Sequence, residues 1–222
     1  MEKKIFDQYI IPDRGFRVDG LLSSKTILNE NKKLYRARLH YKEKEEPYEY
    51  PKMFCPPPDL SVGGRANPAG IPFLYLCDNK DSVLYEIRAA FLDEVSVGTF
   101  VLKNTIEEDI TIADFTEVPT LFSQSGMQNE INTKIKSKLL KDKISRDLSK
   151  PIRRYDSPLD YIPTQFICEF VKIYSGAHGI KFRSSLHPTG NNIVIFNQDI
   201  MECIDVEKAK VKKVVINSDR YI

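Results

Sequence analysis

The sequence has no charge of one dominant sign. Its 33 Lys and Arg side chains nearly balance its 31 Asp and Glu side chains, which leaves a net charge of +2. A surface dedicated to duplex nucleic acid must neutralise many phosphates and therefore needs a clear basic excess. We expect no nucleic-acid partner.

Long hydrophobic runs are also missing. No apolar stretch is long enough to cross a bilayer. The charged N-terminal segment MEKKIFDQYIIPDRG has no apolar core of the kind that secretion signals carry. The sequence therefore predicts a cytoplasmic protein with no membrane partner.

Cysteine and histidine are few and scattered. The four cysteines lack CxxC spacing, and none of the three histidines lies near them with the spacing of zinc ligands. We therefore expect no metal site. We expect buried free thiols at all four positions, which are Cys55, Cys77, Cys168 and Cys203.

The chain has enough hydrophobic residues to form a substantial core. It has 222 residues, of which 41% are hydrophobic, which favours one domain with elaborations, although two small domains are possible. No internal repeat is evident. Residues 1–33 mix apolar and charged side chains around turn-forming segments. We expect an N-terminal extension over 1–33 and the main domain over 34–222.

Hydrophobic periodicity predicts both strands and helices. The predicted strands alternate in polarity or form short apolar runs bounded by turn residues, and they are 34–39, 72–77, 95–102, 109–115, 179–182, 191–196 and 209–217. A long loop, rich in charge and proline, separates the first two of these strands.

The first predicted helix follows the second strand. It spans residues 78–92, and its apolar face consists of Val83, Leu84, Ile87, Ala90 and Phe91. The side chains that can cap its start are Asp78, Asn79 and Asp81.

Two further helices are predicted in the second half of the chain. Residues 129–150 form a polar helix with a net local charge of +4 and a stripe made of Ile131, Ile135 and Leu139. The last helix begins near Pro163 and ends at Gly176. Its apolar face consists of Ile167, Phe170, Val171 and Tyr174.

Glu86 lies at the margin of the apolar face of the first helix. Its neighbours at i−4 and i+4 are Ser82 and Ala90, so it has no basic partner on the helix. Two interpretations remain at this point. Glu86 is either a structural ion-pair partner of an arginine elsewhere in the chain or a functional carboxylate.

Arg65 presents a similar choice. It stands in GGRANPAG, between flexible glycines and turn-forming residues. Its guanidinium either anchors the loop through backbone carbonyls or grips a phosphate or carboxylate. Tyr75 is close enough in sequence to reach the same rim as Arg65 and Glu86, although it is equally suited to the core.

Ser184 and Ser185 follow a predicted strand and precede the turn at PTG. They are suited to a turn, and the sequence around them lacks the arrangement of histidine and acid that a serine hydrolase needs. A serine-hydrolase triad is therefore not predicted.

Taken together, five segments resemble the RES domain family, which is named after an arginine, a glutamate and a serine. They are YRAR at 35–38, GGRANPAGIPFLYLC at 63–77, SVLYEIR at 82–88, YIPTQFICE at 161–169, and GIKFRSS with NNIVIF between 179 and 196. The segments occur in the order of the family and cover roughly residues 34–200.

The resemblance implies an α+β fold related to ADP-ribosyltransferases, with a split mixed β core and flanking helices. It implies NAD as substrate and assigns catalytic roles to Arg36, Glu86 and Ser184. Further matching positions, expected to bind the ligand, are Arg65, Tyr75 and Asn192.

The resemblance also implies an activity and a partner. We expect cleavage of the bond between nicotinamide and ribose, with water or inorganic phosphate as acceptor, by a toxin that depletes cellular NAD and is blocked by a cognate antitoxin. The alternatives are a mono-ADP-ribosyltransferase that modifies a macromolecule and an NAD-binding module without turnover. Leu84 stands where transferases that modify arginine commonly have a second acid, which favours a small acceptor.

Overall fold

The computed structural model describes residues 25–42, 45–116, 128–150 and 157–215, and for 128–134 it describes the backbone alone. The described part contains eight strands and three α-helices. In chain order they are β1 (Lys25–Ile27), β2 (Leu34–Leu39), β3 (Leu74–Cys77), α1 (Lys80–Glu86), β4 (Glu94–Leu102), β5 (Thr111–Asp114), α2 (Gln128–Ser149), α3 (Ile162–Ser175), β6 (Gly179–Arg183), β7 (Asn191–Ile195) and β8 (Met201–Lys210).

The strands form one mixed sheet in the order β1-β5-β6-β7-β3-β2-β4-β8. Only β5 and β6 run parallel within it; the other neighbours are antiparallel. The sheet is split near its middle, because β2 and β3 pair through a single residue pair, Tyr35 with Cys77. By contrast, β2 pairs with β4 along all six of its residues. The predicted α+β class with a split mixed sheet is confirmed.

Besides a smaller apolar cluster that packs α1 against β2 and β4 and includes Val83 and Val97, two larger apolar clusters fill the space on the sheet. One joins α2 and α3 to β5, β6 and β7, with Ile144, Leu148 and Val171 fully or almost fully buried. The other is built on β2, β3, β4 and β8 and includes Phe100 and Met53. Alternating side chains of the same strands contribute to different clusters, as the period of two of a β-strand requires.

The helix that follows β3 is shorter than predicted. It begins as expected, with Asn79 accepting a hydrogen bond from Asp81 N at 2.8 Å, but it ends at Glu86. The cause is local backbone geometry, since Arg88 has φ 52° and therefore lies in the left-handed region, which an α-helix cannot contain. Phe91, predicted on the buried face, is 61% exposed.

The helix predicted over 129–150 is confirmed as α2, but its buried stripe is different. Leu139 is 60% exposed and Ile135 is 36% exposed, while the side chain of Ile131 lies outside the described part. Among the described side chains of the helix, the buried ones are Ser137, Leu140, Lys141, Ile144, Ser145 and Leu148. A face that mixes polar and apolar residues cannot be recognised from hydrophobic periodicity alone.

The last helix is confirmed as α3, with Pro163 in its first turn and Gly176 after its end at φ 62°. Glycine tolerates this left-handed conformation without a steric cost. Ile167 and Val171 are buried as predicted, whereas Tyr174 is 69% exposed.

The strand predicted over 209–217 is wrong in its position. The structure has β8 at Met201–Lys210, and the described residues 211–215 are not in a strand; residues 216 and 217 lie outside the described part. Met201 and Cys203 are buried while Glu202 and Ile204 are exposed, so β8 shows the alternation of a half-buried strand.

Three of the four cysteines are buried, as predicted, and Cys55 is half-buried. None of the helices in the described ranges has the length and apolar character needed to cross a bilayer. The domain boundary at 33/34 stays a prediction. On the N-terminal side of that boundary, β1 pairs with β5.

Candidate functional site

A cavity of about 320 Å³ opens where β2 and β3 separate. Five of the six predicted site residues line it, and they are Arg36, Arg65, Tyr75, Glu86 and Asn192. They come from β2, the loop before β3, β3, the end of α1, and β7. The sixth, Ser184, is hydrogen-bonded to Glu86. The split in the sheet thus brings together residues that are far apart in sequence.

Glu86 is held by two neutral donors through one of its oxygens. Its Oε1 accepts hydrogen bonds from Ser184 Oγ at 2.7 Å and from Asn192 Nδ2 at 2.8 Å. No described residue donates to Oε2. Neither Arg36 nor Arg65 lies within ion-pair distance of this carboxylate in the described part of the chain.

Ser184 also organises the turn that follows β6. Its Oγ accepts hydrogen bonds from the backbone N–H groups of Leu186 at 3.2 Å and His187 at 3.1 Å. Because both of these bonds use the acceptor capacity of the hydroxyl, its single hydrogen is directed to Glu86. Ser184 is therefore both the turn residue and the partner of the carboxylate.

Asn192 is oriented by a buried thiol. Cys77 Sγ donates to Asn192 Oδ1 at 3.2 Å, so the amide nitrogen of Asn192 faces Glu86. Burial, with the nearby carboxylates of Glu86 and Asp78, raises the pKa of Cys77 to about 12. The thiol therefore stays protonated at neutral pH and remains a donor, which fixes the chain Cys77 to Asn192 to Glu86.

Arg36 lines the cavity and has an unpaired donor. Its Nη1 is buried and has no hydrogen-bond partner in the described part of the chain. Burial lowers the pKa of this guanidinium, and the adjacent Cys55 thiol opposes the shift. A buried donor without a partner costs free energy in the unliganded protein.

Arg65 reaches the cavity from the loop that precedes β3. Its Nη1 donates to Leu148 O at 2.9 Å, near the C-terminal end of α2. Of the two roles considered for Arg65, anchoring to a carbonyl is therefore observed. The carbonyl belongs to α2 and not to the loop of Arg65. A guanidinium has five N–H donors, so this bond leaves others for a ligand.

Tyr75 uses its hydroxyl within the protein. The hydroxyl donates to Asn67 Oδ1 at 2.7 Å and accepts from Ala66 N at 3.0 Å. Burial raises the pKa of Tyr75 above its ordinary value, so the hydroxyl is a permanent donor. Gly64 lies against it, because a Cβ at this position would come within 2.7 Å of the Tyr75 hydroxyl oxygen.

Sequence reasoning missed Tyr161, which also lines the cavity. The residue is half-buried at the start of α3. In the described part of the chain no residue hydrogen-bonds to its hydroxyl or stacks on its ring. A signal was present, since Tyr161 opens one of the family-like segments, but periodicity gives an aromatic at a helix start no functional role.

No group of three or more His, Cys, Asp or Glu side chains able to hold a metal ion occurs in the ranges that the structure describes. The groups assembled in the cavity are instead a carboxylate, two guanidiniums, an amide and aromatic rings.

The comparisons with known proteins agree with this architecture. The family model described as RES domain matches residues 33–214, which is most of the chain. Neither a curated protein nor a solved structure matches the sequence. RES domains have an ADP-ribosyltransferase-like fold and form an NAD-related family of toxin–antitoxin systems. The chain therefore belongs to the RES domain family.

Proposed function

We propose that the protein binds NAD in the cavity between β2 and β3 and cleaves the bond between nicotinamide and ribose. The observation that carries the proposal is the geometry of Glu86. Ser184 and Asn192 hold one carboxylate oxygen, and the other has no donor in the described part of the chain. A carboxylate prepared in this way can face a developing positive charge.

The chemistry requires such a group. When the C1′–N1 bond breaks, its electron pair passes to the pyridinium nitrogen, and nicotinamide leaves as a neutral molecule without needing a proton. The ribose then carries an oxocarbenium-like charge, as in glycoside cleavage. Glu86 stabilises that charge, and its position at the cavity wall also suits a hydrogen bond to a ribose hydroxyl.

The two arginines suit the pyrophosphate of NAD. Arg36 offers a buried Nη1 that has no partner in the described ranges, and Arg65 keeps N–H donors beyond the one bonded to Leu148 O. Charge-assisted bonds from guanidinium to phosphate are short and directional. Tyr75 and Tyr161 supply aromatic walls to the same cavity.

The acceptor that completes the reaction is water or inorganic phosphate. Attack by water at C1′ gives ADP-ribose, nicotinamide and one proton. Attack by phosphate at the same carbon, which is numbered 1″ in ADP-ribose, gives ADP-ribose 1″-phosphate and nicotinamide. Both reactions consume one NAD per turnover and need no metal, oxidant or further cofactor.

The test is to incubate the purified protein with NAD, with and without phosphate, and to follow nicotinamide release together with the ribose product. We expect stoichiometric nicotinamide and one of the two ribose products. Absence of NAD consumption under both conditions would refute the proposal. Labelled NAD that marks a protein band in cell extract would instead establish a mono-ADP-ribosyltransferase, and tight binding of NAD without nicotinamide release would establish a binding module.

We further propose that a cognate antitoxin covers the cavity. The support is the family, which belongs to toxin–antitoxin systems, and the basic helix α2, whose residue Leu148 bonds to Arg65. Charge reversal at Lys136, Lys138 and Lys143 is expected to weaken a complex obtained by co-expression with the product of a neighbouring reading frame. An unchanged complex would exclude α2 as the docking surface.

A further inference from the structure

The peptide groups on both sides of Arg65 are hydrogen-bonded by side chains. The carbonyl of Gly64 belongs to the peptide bond that enters Arg65, and it accepts from Gln165 Nε2 at 2.8 Å. The N–H of Ala66 belongs to the peptide bond that leaves Arg65, and it donates to the Tyr75 hydroxyl at 3.0 Å. Both peptide planes that flank the Cα of Arg65 are therefore fixed.

Gln165 makes a second bond that closes the same loop. Its Nε2 also donates to Asn67 O at 3.1 Å, the carbonyl that accepts from Gly64 N at 2.8 Å. Asn67 is 3% exposed, and its Nδ2 donates to Ile71 O at 2.9 Å and Pro68 O at 3.1 Å. The loop of residues 64–71 is thus held by two amide side chains, and Gln165 attaches it to α3.

We infer that Gln165 is a positioning residue for Arg65 and that it sets the affinity for the pyrophosphate half of the substrate. This inference rests on the proposed function, because it takes Arg65 as a phosphate-binding group. An arginine side chain loses rotamer entropy when it is ordered by a ligand. If the backbone and the side chain of Arg65 are already ordered in the free protein, less entropy is lost when the ligand binds.

The inference predicts a separation between binding and chemistry. Gln165 does not line the cavity, and it has no bond to Glu86, Ser184 or Asn192, whose hydrogen bonds are described above. Removing its two donors therefore disturbs Arg65 and leaves the carboxylate in place. We therefore expect KM for NAD to rise and the affinity for ADP-ribose to fall, while kcat stays nearly unchanged.

The experiment compares Gln165→Met, which keeps the length of the side chain, and Gln165→Ala with the wild type and with Ile173→Ala. Ile173 lies on the same helix, is 68% exposed and does not line the cavity. For both Gln165 variants we expect KM for NAD and Kd for ADP-ribose to rise about tenfold, from the loss of two hydrogen bonds to the loop. We expect kcat to stay within about twofold and the inhibition constant of nicotinamide to remain unchanged.

Three outcomes would overturn the inference. They are an unchanged KM and Kd in both variants, an equal loss of affinity for nicotinamide and for ADP-ribose, and a fall in kcat at constant KM. If one Gln165 variant does not fold, the other decides. If the wild type binds ADP-ribose but releases no nicotinamide from NAD, the proposed function fails, while the Kd comparison still tests the role of Gln165.

Discussion

At the scale of single residues, the environment of Glu86 makes its two roles separable. Replacement of Glu86 by Gln keeps an oxygen that can accept from Ser184 and Asn192, but it removes the negative charge. We expect kcat for nicotinamide release to fall about a hundredfold or more, because the charge acts on the transition state. Binding of ADP-ribose and the melting temperature should change little. Melting curves and product release on one preparation check this, and a destabilised but fully active variant would show that Glu86 is structural.

Tyr161 supports a second prediction at this scale. Its ring lines the cavity and has no stacking partner in the described ranges, so a ligand ring is its natural partner. Tyr161→Ala should raise KM for NAD by roughly tenfold, in line with the contribution of an aromatic contact and its buried area. Tyr161→Phe should behave like the wild type, since the hydroxyl has no bond to a described residue. Equal losses in both variants would contradict a role for the ring.

At the scale of secondary-structure elements, a buried carboxylate connects β5 to β6. Asp114 is 2% exposed and accepts from Lys181 Nζ and Thr116 N, both at 2.7 Å, and from Thr116 Oγ1 at 2.6 Å. Burial opposes its ionisation, but the hydrogen bonds from Lys181 and Thr116 outweigh burial and lower the pKa of Asp114. Because the folded pKa is depressed, the charge contributes stability above the unfolded pKa, and this contribution disappears as the pH falls through the folded pKa.

We therefore expect Asp114→Asn to destabilise the protein by about 2–4 kcal/mol at neutral pH, because it leaves Lys181 without its counter-charge. The difference from the wild type should shrink as the pH falls below about 4, where the carboxyl group of the unfolded chain becomes protonated. Denaturant unfolding of both proteins at several pH values measures this difference in the free energy of unfolding. A difference that is constant across this range would show that the charge of Asp114 does not contribute.

The contact between α1 and the turn before β7 gives a further prediction. A Cβ on Gly190 would come within 1.9 Å of Ser82 Oγ and 2.7 Å of Ser82 Cβ, and Ser82 is fully buried. We expect Gly190→Ala to destabilise the protein by about 1–3 kcal/mol, as overpacking does. Ser82→Gly removes the obstructing atoms. The stability lost on this replacement should therefore be smaller in the Gly190→Ala background than in the wild type. Additive effects in this double-mutant cycle would contradict the contact.

At the scale of the whole molecule, the single residue pair between β2 and β3 predicts uneven protection of the sheet. Backbone amides at the β2 and β3 seam should exchange hydrogen faster than those between β2 and β4, since fewer ladder bonds hold them. ADP-ribose contacts residues on both sides of the seam in the proposed complex and should slow this exchange. Mass spectrometry of exchanged peptides measures both effects. Equal exchange on the two sides of β2 would contradict the description of the sheet as split.

Much of this molecule follows from its sequence, but not all of it. Alternating or compact apolar runs located β2, β4, β6 and β7, because strands with one or both faces buried produce such patterns. The buried stripe predicted for α2 is wrong, because Ser137, Lys141 and Ser145 are buried in that helix. The three-residue strand β1 was missed, because so short a segment has no period to detect.

Residue patterns alone indicated Glu86, Arg65 and Tyr75 as candidates, whereas Arg36, Ser184 and Asn192 were assigned only through the family resemblance. Glu86 is separated from Ser184 by 98 positions and from Asn192 by 106, and no local pattern encodes such pairings. The roles proposed for Gln165 and Tyr161 likewise depend on where the loop of Arg65 and the start of α3 meet. These contacts are set by packing of α3 against the sheet, which a single sequence does not reveal.

The same separations have a consequence for synthesis of the protein. A ribosome that adds about 5–20 residues per second needs on the order of 5–20 s after Glu86 before it has produced Asn192. Until Ser184 is added, near the end of that interval, the carboxylate has neither of its two donors. Throughout the interval β3 lacks β7, its full-length neighbour in the described sheet. The growing chain therefore cannot possess a complete site until β7 has formed, so shorter nascent chains lack the assembled pocket.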